Sequence, residues 1–154
     1  RSLVPAPLAA PCGLGRPRAR PEVVAGEPST VSGSAWVAFV AACSLGALVR
    51  YLVDGWAQAR FAQTFPWGIW VVNVSGSFLL GILAGLNETS HLGGVPMAIA
   101  GTGFCGAYTT FSTLAVQTVE LAEDGLALQA ALNALGTLLA GLMAAAAGFW
   151  LGSL

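Results

Sequence analysis

The sequence predicts an all-α membrane protein of four spanning helices, the third of them broken. Three observations carry that expectation. Charge is scarce: 8% of the 154 residues are charged and 56% are hydrophobic, and the mean hydropathy is +0.75. Soluble domains carry roughly a quarter charged residues, so this chain lacks the surface that water requires. Second, the charges are segregated. None lies between Pro28 and Val49, Thr64 and Asn87, Leu92 and Val119, or Gly125 and Leu154. A spanning helix needs about 20 mostly apolar residues, and each window supplies them. Third, the third window contains a polar run rich in glycine and threonine, Gly101 to Thr113.

The elements follow in chain order. Residues 1–33 are rich in Pro, Gly, Ala and Arg and read as a disordered tail; residues 34–154 form the transmembrane domain. Span one is expected from Ser34 to Val53, closed by the interfacial pair Arg50-Tyr51, the kind that anchors a helix at the headgroups. A loop is expected from Asp54 to Phe65. Span two runs from Pro66, a suitable helix start, to Leu86, with Trp67 and Trp70 at the interface. The loop Asn87 to Gly94 holds Glu88 and His91. Span three is expected from Val95 to Leu121, closed by Glu120, Glu123 and Asp124, and span four from Gly125 to Trp150.

Composition excludes several function classes. The net charge is −1 and lysine is absent, so there is no basic footprint for nucleic acid. Cys12, Cys43 and Cys105 lack metal-type spacing. No carboxylate, lysine or histidine lies deep in a predicted span. A proton-coupled carrier or a small multidrug-type exporter needs such a group in the membrane, and a hydrolase needs a base. The chain is therefore not expected to be an enzyme. What remains is a line of neutral hydrogen-bonding groups, suited to passive conduction of something small.

Those groups sit in spans two to four. Asn73 and Ser77 are four apart and share a helix face. Asn73 reads two ways, as an interhelical hydrogen bond or as a pore donor. In span three, Gly101, Gly103 and Gly106 each cost a helix roughly 1 kcal/mol relative to alanine, and backbone freed there must line a cavity, meet protein or bind an ion. Thr109, Thr110 and Thr113 form a hydroxyl stripe. Phe104, Phe111 and Leu114 form an aromatic and aliphatic stripe beside it, and ring edges are electropositive. In span four, Asn133, Thr137, Gly141, Ala144 and Gly148 make a small-residue face suited to packing, with Asn133 and Thr137 as possible donors of a polar track.

Three motifs resemble the Fluc (CrcB) family of fluoride channels: Gly46-Ala47-Leu48-Val49-Arg50-Tyr51; Val72-Asn73 with Gly76-Ser77-Phe78 and Leu80-Gly81; and Gly103-Phe104-Cys105-Gly106 with Thr109-Thr110-Phe111-Ser112-Thr113. The resemblance covers about Ala35 to Leu154. It implies an antiparallel, dual-topology dimer of four-helix subunits in the bacterial plasma (inner) membrane, surrounded by lipid, that lets cytoplasmic fluoride leak out and relieves its toxicity. It implies a structural sodium ion held by the backbone carbonyls of Gly106 and Thr109. Asn73, Phe111, Ser112, Thr113 and Thr137 would line the fluoride path. Arg50 and Thr110 match the family pattern with roles left open. The chain departs from the pattern at Leu114, where the family commonly carries a second phenylalanine, at Ala107, where a glycine is common, and at Ile69, where a threonine is common. Leu114 leaves the dimer partner open between an identical copy and a paralogous subunit, and leaves room for a chain that only supports its partner's pore. Arg1, Arg16, Arg18 and Arg20 oppose Arg50 and Arg60 across the membrane, a small bias that permits either orientation.

Overall fold

The computed structural model describes residues 32–61, 64–90 and 92–154, and every regular element among them is helical. The expected tail lies outside the described residues up to residue 31. Of its last two positions, Ser32 caps the first helix and Gly33 begins it. The Ser32 hydroxyl accepts the Ala35 N–H at 3.3 Å, satisfying one of the free donors at a helix start.

Helix α1 spans Gly33–Arg60, 28 residues, or roughly 42 Å at 1.5 Å per residue. The loop expected from Asp54 therefore begins only after Arg60. Helix formers Ala57 and Ala59 carry the helix on, and no proline intervenes before Pro66. Ala57 is fully buried. Helix α2 spans Trp67–Ser90, so the next loop also starts later than expected; His91 lies outside the described residues. Between α1 and α2 stands an aromatic cluster. Phe61 meets Trp56 edge-on at 6.1 Å, Trp67 lies 4.8 Å from Phe65, and Trp67 and Trp70 are 5.8 Å apart. Such rings favour the membrane–water boundary.

The expected third span is divided. Helix α3 covers Gly94–Met97, a π-helical segment covers Ala98–Cys105, α4 covers Gly106–Tyr108 and α5 covers Phe111–Glu123. The interruption falls inside the expected stretch Gly101 to Thr113, but at its threonines rather than its glycines: the backbones of Thr109 and Thr110 are extended. Gly46 and Gly103 explain the difference. A Cβ on Gly46 would collide with the Phe104 carbonyl, and one on Gly103 would press on the Phe39 ring and the Ala42 methyl. These glycines let α1 and the π segment approach closely.

Gly125, at φ 77°, turns the chain into α6 (Ala127–Ala131). A second π segment (Leu132–Gly136) and α7 (Thr137–Gly152) continue without a break. Gly33–Arg60, Trp67–Ser90 and Ala127–Gly152 are long and apolar enough to cross a membrane. No single piece of the divided third region is that long.

Helices α2 and α7 form the tightest contact. They run parallel: Ser77 meets Gly141, Gly81 meets Ala145, and Thr89 reaches the Gly152 carbonyl. A Cβ on Gly81, Gly85, Gly148 or Gly152 would strike backbone of the facing helix. Small residues four apart are the device by which helices approach in lipid, where the hydrophobic effect does not drive them together. Large side chains of α7 such as Leu139 and Met143 face outward, as a lipid solvent allows.

Candidate functional site

The site is built around the gap in the third region. An α-helix running through Thr110 would send its N–H to the Gly106 carbonyl. The Thr110 N–H goes instead to Asn73 Oδ1 at 2.9 Å, and Asn73 Nδ2 donates to the Thr110 carbonyl at 3.0 Å. One side chain of α2 thus satisfies both backbone groups of a residue that has left the helix. The cost of an unpaired backbone group away from water is met by an amide 37 positions earlier. Of the two readings of Asn73, the interhelical bond is what the geometry displays, with the second Nδ2 proton left over.

A second bond secures the same junction. Tyr108 is buried and stacks on Phe104 at 5.9 Å. Its hydroxyl lies 2.8 Å from Ser75 Oγ, and Ser75 Oγ is 2.7 Å from the Val71 carbonyl. The single serine proton goes to that carbonyl, so the phenol is the donor to Ser75. Gly76 makes room: a Cβ there would collide with the Thr109 methyl.

Beyond the gap, α5 restarts with its own cap. Thr110 Oγ1 accepts the Thr113 N–H at 3.3 Å, and lies 3.2 Å from Ser112 Oγ and 3.1 Å from Thr113 Oγ1. Thr109 Oγ1 turns back to the Cys105 carbonyl at 3.0 Å. The predicted hydroxyl stripe is therefore partly consumed by helix ends.

These elements enclose an open groove of about 1000 Å³. Asn73, Gly106, Thr109, Thr110, Phe111, Leu114 and Thr137 all line it, so most of the predicted site residues come together. Ser112 and Thr113 stand outside the lining, joined to it through the Thr110 hydroxyl. Arg50 and Phe104 are not among the lining residues either; Phe104 is separated from Phe111 by the gap. Phe111 is 82% exposed, a bare aromatic ring at the groove's edge. Both π segments contribute walls, through Gly101, Thr102 and Cys105 on one side and Ala134 and Leu135 on the other. Such segments are frequent at functional sites.

Sequence reasoning named Asn133 but missed its partner Thr118, which lines the groove. Asn133, fully buried, donates through Nδ2 to Thr118 Oγ1 at 2.9 Å and toward the Leu114 carbonyl at 3.4 Å. Thr137, 4% exposed, has no partner for its hydroxyl within the described residues. The i, i+4 spacing of Asn133 and Thr137 was visible; the α5 partner was not.

The family model described as CrcB-like protein, Camphor Resistance (CrcB), matches residues 35–149. The chain belongs to the CrcB family. Relatives agree along most of their own length. The fluoride-specific ion channel FluC 1 of Streptomyces avermitilis is 40% identical over 115 residues, covering 75% of this chain and 93% of that protein. FluC 1 of Frankia casuarinae is 42% identical over 121 residues, covering 73% and 92%. FluC 2 of Mycobacterium tuberculosis is 40% identical over 116 residues, covering 75% and 89%. The match begins at Ala35, two residues inside α1, and ends at Phe149, near the end of α7. In this CrcB chain it takes in the whole groove.

Proposed function

We propose that this chain is a subunit of a fluoride-specific ion channel, passively releasing cytoplasmic fluoride. The observation that carries the proposal is the groove of neutral donors around the Asn73–Thr110 junction in a CrcB chain. Fluoride is small and strongly hydrated, and stripping its water is expensive. Hydroxyls, the spare Asn73 Nδ2 proton and the electropositive edge of Phe111 replace that water stepwise, without any group that binds the ion too tightly to release it. Ser112 and Thr113 extend the hydroxyls beyond Thr110, and Thr137 stands on the opposite wall. Asp54 and Glu88 lie near the ends of α1 and α2, and Glu120, Glu123 and Asp124 at the end of α5, so among the described residues no carboxylate sits mid-span. That disfavours a multidrug-type exporter, which needs one.

The assembly is part of the proposal. The divided third region crosses the membrane together with α1, α2 and the Ala127–Gly152 helix, giving four spans. The exposed Phe111 and the open groove are covered by a second, antiparallel subunit, identical or paralogous, in a bacterial plasma membrane. A sodium ion fits the oxygens at the gap. The Gly106 carbonyl has lost its usual N–H to Asn73, Thr109 carries its carbonyl in extended backbone, and no atom fills the space where a Gly106 side chain would stand. Hard cations take such oxygen ligands. Bound there, the ion would supply positive charge that favours an anion nearby.

The experiment is fluoride efflux from liposomes read with a fluoride electrode. Liposomes carrying this chain, alone or with a paralogous subunit, empty their fluoride and retain chloride. Retention of fluoride under both conditions overturns the proposal.

A further inference from the structure

The two walls of the groove are tied at one level only. Helix α5 forms one wall, through Phe111, Leu114 and Thr118; α7 forms the other, through Thr137 and Leu138. Among the described residues, the only side-chain hydrogen bonds from α5 to the Ala127–Gly152 helix are those of Asn133, to Thr118 Oγ1 at 2.9 Å and to the Leu114 carbonyl at 3.4 Å. Nothing in the CrcB match assigns a role to this pair.

The chemistry of the tie is directional. Thr118 Oγ1 donates its single proton to the Leu114 carbonyl at 2.7 Å. It meets Asn133 only as an acceptor, so the Asn133 atom facing it must be the donor nitrogen. That fixes the amide: both Nδ2 protons point into α5, and Oδ1 is left buried with no partner among the described residues. A buried unpaired acceptor is costly, so the arrangement persists because Thr118 holds it. Asn133 therefore does not offer a donor to an anion, as its sequence position suggested. It grips the turn of α5 that carries Leu114. The second π segment is where this grip is made. One residue more or less rotates a helix by about 100°, so the π turn sets the phase between Asn133, aimed at α5, and the α7 face that lines the groove.

We propose that Thr118 and Asn133 are a positioning pair that fixes the spacing of the two groove walls beside Leu114, and thereby sets the rate of fluoride passage. The proposal rests on the channel reading above. A gap matched to a small ion loses its donors quickly as it widens, because hydrogen bonds weaken steeply outside their narrow range of length. With leucine at position 114, no aromatic ring braces the wall there, and the tie carries that task.

The test is a double-mutant cycle read by fluoride efflux from liposomes, in whichever assembly of the full chain conducts. Thr118→Val removes the hydroxyl and keeps the shape; Thr118→Ser keeps the hydroxyl. The pair predicts that Thr118→Val slows efflux about tenfold, that Thr118→Ser stays within about twofold of wild type, and that Asn133→Leu slows efflux as Thr118→Val does. It predicts that the double variant is no slower than either single one, since partners in one bond are not additive. Each variant is first passed over a sizing column. Should Thr118→Val aggregate, Thr118→Ala and Asn133→Leu read the same bond. Wild-type rates in the valine or alanine variant, failure of serine to rescue, or a double variant whose loss is the product of the single losses overturns the pair while leaving the channel. A wild-type chain that passes no fluoride in any assembly overturns both.

Discussion

The two halves of α2 make contacts of opposite kind. Its C-terminal half meets α7 through Gly81 and Gly85, backbone against backbone, with Thr89 alone adding a hydroxyl. Its N-terminal half meets the third region through Asn73, whose amide replaces backbone bonds the gap has removed, and through Ser75, bonded to the Tyr108 hydroxyl. Where both helices are whole, every backbone group is satisfied internally and only close fit remains to hold them. Where one helix is interrupted, the neighbour must supply donors and acceptors, and a few polar groups are left along an otherwise apolar groove. The first half fixes the frame and the second makes the site.

Variants separate the halves. Among packing and single-bond variants, the largest effect on folding is expected at the seam. Gly148→Ala places a methyl against the Phe78 carbonyl and the Ile82 N–H, backbone that cannot step aside. Overpacking of this kind costs about 1–3 kcal/mol, and the heated, detergent-extracted protein loses its monodisperse fraction several degrees earlier. Efflux per surviving channel stays near wild type. A variant that melts like wild type would show that the seam is not tight. Tyr108→Phe comes next. It removes one hydrogen bond and leaves the stack on Phe104, a loss of about 0.5–1.5 kcal/mol, with efflux reduced a few-fold. Unchanged efflux would mean that the Asn73 junction needs no second tie. The smallest effect is at Gly55, where a Cβ meets nothing within 4 Å. Gly55→Ala in the exposed interior of α1 raises stability by up to about 1 kcal/mol and leaves efflux alone. Destabilisation there would contradict the claim that the seam glycines are special because of what faces them.

The sequence made the three continuous helices legible, because apolar length and charge segregation are local properties. Their ends were less so: Asp54 to Arg60 was expected as loop because it carries charge, yet alanines continued the helix there. The gap was expected in the right region, but with the weight on its glycines rather than on Thr109 and Thr110. Glycine density signals a weak helix, but Gly46 and Gly103 serve close approach between α1 and the π segment. What opens the chain at Thr109 and Thr110 is the Asn73 amide, a partner distant in sequence that no local pattern displays. Asn73, Thr110, Phe111, Leu114 and Thr137 were recognisable as a group from the family motifs. Thr118 was not, because a threonine inside a helix is unremarkable until the residue facing it is known.

The central claim is that Asn73 holds the break at Thr109 and Thr110 in the form that lines the groove proposed to carry the ion. Asn73→Ala removes both bonds to Thr110 at once, leaving a buried N–H and carbonyl unpaired, each costing about 1–3 kcal/mol. Fluoride efflux from liposomes, normalised to monodisperse protein, is the direct measurement. A fall of about 100-fold or more in the conducting assembly is the expected result. Efflux within twofold of wild type would contradict the account.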